Sequence, residues 1–171
     1  MNRLTWACVP LALMTSSAFA LEYPIGEPVL EHGMEIAAVY LQPVTMEPAS
    51  MVAAIDADIH LEADIHALED NPNGFAPGAW IPFLTIDYRL EKDDGSEPIE
   101  GRLMPMIASD GTHYGANVAL QGMGRYHLSY RLQAPQLMRH IDKETGVAPW
   151  YEPFSVEYDF VYAGVGKKGG Y

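Results

Sequence analysis

Cysteine is almost missing from this chain. The single one, Cys8, lies within the first twenty residues. The remainder therefore forms no disulfide, offers no thiolate to a metal and has no cysteine nucleophile. Basic residues are scarce as well, with 10 Lys and Arg against 23 Asp and Glu. That imbalance repels nucleic acid and attracts cations. Long apolar runs are lacking: none reaches the roughly 20 residues that a membrane-spanning helix needs. Helical periodicity is nowhere sustained, apart from a single expected turn near Gln136 to His140. Catalytic signatures are missing too, with no G-x-S-x-G elbow, no H-E-x-x-H and no phosphate-binding glycine loop.

The start of the chain reads as an export signal. Arg3 is followed by the mostly apolar stretch Leu4 to Met14, and Ala18-Phe19-Ala20 forms a small-residue cleavage site. Removal of residues 1–20 leaves a single expected domain, 21–171, in the periplasm. With no cysteine to cross-link it, this domain must rely on its core for stability.

What is present is period two. Ile55, Ala57, Ile59, Leu61, Ala63 and Ile65 are apolar, and Asp56, Asp58, His60, Glu62, Asp64 and His66 fill the positions between them. The pattern predicts a strand over 55–65 with one buried and one exposed face. Further strands are expected over 35–44, 80–91, 99–106, 118–120, 126–133 and 154–162, with turns at Asn71-Pro72-Asn73-Gly74 and Asp93-Asp94-Gly95-Ser96. About seven strands in one domain predict an all-β, immunoglobulin-like antiparallel β-sandwich, with a closed barrel as the alternative.

The polar face of the long strand holds only carboxylates and imidazoles, which are ligands for a cation. His60 and Glu62 stand roughly 7 Å apart along it and can share one ion, whereas His66 lies roughly 20 Å from His60 and cannot. Asp110-Gly111 predicts a hairpin turn, which brings Met106 beside His113. Met104 shares the face of Met106, and Pro105 between them marks an edge strand. A thioether among imidazoles favours copper, and the added carboxylate makes the site hospitable to iron. A further histidine can come from His140, which is followed by Asp142, or from His127 on the polar face of its strand. Spacing alone leaves both open.

Three stretches together resemble the bacterial periplasmic high-affinity iron-transport proteins, also called the pathogen-specific membrane antigen family. They are His60-Leu61-Glu62-Ala63-Asp64-Ile65-His66, Met104-Pro105-Met106 through Ser109-Asp110-Gly111-Thr112-His113-Tyr114-Gly115, and Arg139-His140-Ile141-Asp142 with Gly146-Val147-Ala148-Pro149-Trp150. They occur in the family's order, and the similarity runs from about Tyr23 to Tyr162. The resemblance implies an immunoglobulin-like homodimer that binds copper and iron and works beside an inner-membrane iron permease. Its implied ligands are His60, Met106 and His113, with Glu62 as the adjacent carboxylate. His140 is the implied fourth ligand, and a dimer allows it to come from the second copy. The expected role is a non-enzymatic carrier in iron uptake, and the alternative is a copper-dependent periplasmic enzyme that oxidises or reduces iron.

Overall fold

The computed structural model describes residues 22–164. The expected export signal and residues 165–171 lie outside them. Nine strands are found among the described residues: β1 (Tyr23–Pro24), β2 (Val29–Glu31), β3 (Met34–Leu41), β4 (Ile59–Ala67), β5 (Thr85–Lys92), β6 (Ile99–Ala108), β7 (Gly111–Val118), β8 (Gly124–Gln133) and β9 (Phe154–Tyr162). All pair antiparallel, in the order β1-β3-β4-β7-β6-β5-β8-β9 with β2 beside β3. One sheet holds β1 to β4 and β7, and the other holds β5, β8 and β9. β6 serves both: Ile99–Leu103 pairs with β5, and Met104–Ala108 pairs with β7. The result is the antiparallel sandwich expected from the strand pattern.

Period-two patterning decides which side chains meet in the middle. Ile59, Leu61, Ala63 and Ile65 of β4 face Tyr126, Leu128, Tyr130 and Leu132 of β8 and Val156, Tyr158 and Phe160 of β9 in one buried cluster. Tyrosine does much of the filling, and each buried hydroxyl needs a partner. Tyr130 Oη donates to the Glu62 carbonyl at 2.9 Å and Tyr158 Oη to the Ile36 carbonyl at 2.8 Å, so both bonds cross from one sheet to the other. Tyr114 Oη donates to the Ile81 carbonyl and accepts from the Leu84 amide, which ties the irregular segment 80–84 to β7.

Four expectations need correction. The strand expected over 118–120 is the end of β7, which starts at Gly111 because it pairs back on β6 through the Asp110-Gly111 turn. The strand expected from residue 55 begins at Ile59, because β7 ends at Val118 and leaves the earlier residues without a partner strand. Ala54–Asp56 instead forms a single 3₁₀ turn, with Ile55 91% exposed. The strand expected from Trp80 begins at Thr85, since Pro82 lacks an amide donor and Phe83 adopts φ 61°. The turn expected near Gln136 to His140 is not helical. By contrast, the Asp110-Gly111 turn joins β6 and β7 as expected, with Met106 opposite His113.

Tyr130→Phe removes a fully buried cross-sheet hydrogen bond. Denaturant unfolding is expected to show a loss of about 1 kcal/mol, with the fold unchanged by circular dichroism.

Candidate metal centre

The register of three strands assembles the site. In β4, His60 and Glu62 stand opposite Asn117 and Gly115 of β7, and in β6, Met104 and Met106 stand opposite Gly115 and His113. Residues two apart share a face, so His60, Glu62, Met104, Met106, His113, Gly115 and Asn117 all project from the outer side of one sheet. This is the face that alternation marks as exposed, yet His60, Glu62, His113 and Asn117 are buried. The expectation of an open face fails there because the segment 44–52 lies across it. Both ends of that segment are tied to Asn117, whose Nδ2 donates to the Val44 carbonyl at 2.9 Å and the Val52 carbonyl at 3.3 Å.

Asn117 also sets the chemistry of His60. Its Oδ1 accepts from the Val44 amide at 3.2 Å and lies 3.0 Å from His60 Nδ1. A carbonyl oxygen only accepts, so Nδ1 carries the proton and Nε2 keeps its lone pair. That Nε2 is buried without a hydrogen-bond partner. Buried nitrogen lone pairs are seldom left unmatched, and an imidazole held at its other nitrogen is the usual form of a metal ligand.

The remaining donors converge on the same point. Glu62 Oε1 is 3.5 Å from His60 Nε2 and 3.3 Å from His113 Nε2. The ligand atoms of His60, Glu62 and His113 all lie within 4.8 Å of one another, a spacing that one ion can bridge. The Met106 sulfur lies beside them. A Cβ added at Gly115 would collide with His60 Nε2 and come within 3.0 Å of Met106 Sδ, so imidazole and thioether both crowd over this glycine.

Burial governs the protonation states. It lowers His60 to about 4, aided by the neighbouring His113, against the opposing bond from Asn117. His113 is lowered too, chiefly by burial, while Asp64 and Asp110 pull the other way. Glu62 is pushed up to about 8 by burial and then by repulsion from Asp64, Glu22 and Asp110. At neutral pH without metal, both imidazoles are therefore neutral and Glu62 is protonated, so their contacts are not ion pairs. A cation entering the cluster reverses the state of Glu62.

The other expected residues lie elsewhere. His66 is outside the cluster and bridges to Trp80. His127 sits on the outer face of the second sheet, with Nδ1 3.0 Å from Asp159 Oδ1. His140 lies on the loop after β8, 78% exposed and near Thr145 and Asp142, and is not brought to the cluster within one chain. Met104 is beside the cluster but turned toward solvent. Asn117 and Gly115 are the residues that sequence reasoning missed as parts of the site. Counting by twos from His113 puts both on its face, but only the register shows what they meet there.

Two outcomes follow from this geometry. Gly115→Ala is expected to weaken copper binding in a titration and to lower the thermal unfolding midpoint of the metal-free protein as well. Its methyl group displaces the buried His60 ring that Asn117 holds. Its backbone is ordinary, and only the site is crowded. Metal uptake at pH 7 is expected to release about one proton from Glu62, read by calorimetry in buffers of different ionisation enthalpy. The release shrinks as the pH rises past about 8, where Glu62 is already ionised.

Known proteins share this arrangement of chain. The family model described as "Fe2+ transport protein" matches residues 19–164. A UPF0423 protein of Brucella abortus is 53% identical over 171 residues, covering 95% of this chain and 94% of the relative. The 34 kDa membrane antigen of Treponema pallidum is 39% identical over 163 residues, covering 90% of this chain and 79% of the antigen. Among solved structures, copper-reconstituted P19 of Campylobacter jejuni superposes with a TM-score of 0.82 at 53% identity, covering 85% of this chain and 99% of P19. FetP of uropathogenic Escherichia coli strain F11 gives a TM-score of 0.83 at 54% identity, with the same coverage. The chain belongs to the Fe2+ transport protein family.

Proposed function

We propose that this protein is a periplasmic carrier that binds iron and copper in high-affinity iron uptake, holding the ion with His60, Met106 and His113, with Glu62 as the adjacent carboxylate. The observation that carries this reading is the buried Nε2 of His60, free of any hydrogen bond and facing a carboxylate and a second imidazole. The family's description names ferrous transport, and the structural neighbours include a copper-reconstituted P19 and a FetP expressed recombinantly in a periplasm. The acidic charge raises the local concentration of cations. Among the described residues no helix is long and apolar enough to cross a membrane. Delivery to an inner-membrane permease is part of the proposal.

His140 enters as the fourth ligand from a second copy. It is flanked by the exposed apolar side chains of Leu137, Met138 and Ile141, a surface suited to burial against another protein. The metal cluster opens into a cleft of about 2050 Å³, which leaves room for such a loop. In this homodimer each subunit supplies one histidine to its partner's ion.

A second reading is favoured by one feature. Met106 places a thioether in the ligand set, and thioethers prefer cuprous ion. In a copper-dependent redox enzyme, bound copper would exchange one electron with iron, so that one metal is oxidised as the other is reduced. Catalytic turnover of iron by the copper-loaded protein separates this from stoichiometric carriage.

Titration of the metal-stripped protein with copper and with iron is expected to saturate near one ion per chain, with binding lost in His113→Ala. Co-expressed His60→Ala and His140→Ala chains are expected to recover tight sites in mixed dimers that neither homodimer has. Binding that ignores His113→Ala would overturn the site, and lack of recovery would remove His140 from it.

A further inference from the structure

The methionines are placed unevenly. Of the nine in the chain, Met46, Met51, Met104 and Met106 line one cleft, together with His60, Glu62 and His113. Met106 belongs to the metal cluster. The other three extend outward from it: Met46 is half-buried, Met104 is 58% exposed and Met51 is fully exposed. Met104 sits two residues from Met106 on the same face of β6, which places their Cα atoms roughly 7 Å apart. Met46 and Met51 come from the segment that Asn117 clamps at Val44 and Val52.

Apolar packing does not explain this placement well. A fully exposed methionine gains nothing from burial within its own chain, and the core of this protein is filled by tyrosine, isoleucine and leucine. A thioether does have one chemical property that these residues lack: it is a soft, neutral donor that prefers cuprous over hard ions. Two of these thioethers lie on a covering segment and one on the strand beneath it, and their exposure rises from Met46 through Met104 to Met51.

We propose that Met46, Met51 and Met104 form a thioether vestibule that captures cuprous ion at the mouth of the cleft and passes it inward to Met106 and the histidines. No electron moves in this step. A bond from copper to an outer sulfur is exchanged for one to an inner sulfur or nitrogen, and the oxidation state stays at one. Neutral donors alone hold the ion weakly, which suits handover, while His60, His113 and Glu62 provide the stronger final site. The inference rests on the metal-centre reading above.

The test compares wild-type protein with a Met46→Leu, Met51→Leu, Met104→Leu variant. Leucine keeps the apolar bulk and removes only the sulfur, so any packing or dimer contact made by these residues survives. Cuprous ion is presented as its complex with a coloured chelator, and its transfer is followed by stopped-flow absorbance. The expected result is a severalfold slower transfer to the variant with the equilibrium affinity unchanged. Equal rates would overturn the vestibule. A fall in equilibrium affinity would overturn it too, by making these residues ligands of the final ion. Wild-type protein that takes no cuprous ion from a weak chelator would remove a cuprous centre altogether, and the vestibule with it. That outcome is distinct from a wild type that binds at a rate indifferent to the three sulfurs.

Discussion

One side-chain amide holds the metal centre together. Asn117 accepts from the Val44 amide and from His60 Nδ1, and donates to the carbonyls of Val44 and Val52. Each bond has a separate consequence. Those to Val44 and Val52 bring the covering segment down and take the cluster out of water. The one to His60 turns a lone pair toward Glu62 and His113. Burial then shifts all three titratable groups toward their neutral forms. A site that is largely buried, neutral and already oriented needs little rearrangement to accept a cation.

The fold was legible wherever two strand faces differed in polarity. β9 shows it most plainly, since Val156, Tyr158, Phe160 and Tyr162 are buried and the residues between them exposed. Where alternation continued past the end of a partner strand it misled, as at Ile55 and Ala57. Periodicity describes what a residue can do in a sheet, whereas pairing depends on where the neighbouring strand stops. Segment 80–84 carries apolar residues for a different reason: Ile81 and Leu84 enter the core from irregular backbone held by Tyr114.

The clustering of these side chains was legible because they lie in short motifs, His60-x-Glu62 and Met106 through a tight turn to His113. The environment of those ligands was not. Polarity on a strand face predicts exposure only if nothing crosses over it, and the segment 44–52 that crosses has no pattern marking it as a cover. Gly115 belongs to the same lesson. Its value lies in the absence of a side chain beneath His60 and Met106, and an absence has no signature until the register is known. His140 was favoured over His127 by resemblance alone, because nothing within one chain draws either to the cluster.

β6 divides its pairing between the two sheets, with the change between Leu103 and Met104. Pro105, which has no amide proton, lies in the half that has left β5, so its missing donor costs no bond on that side. The hairpin that follows sets Met106 opposite His113, and a slip of one residue would turn both side chains toward the wrong face. An ion spanning β4, β6 and β7 therefore rewards a single alignment of three strands. In a protein without disulfides, a metal bound there would act as a removable clasp that distinguishes a correctly threaded chain from a misaligned one.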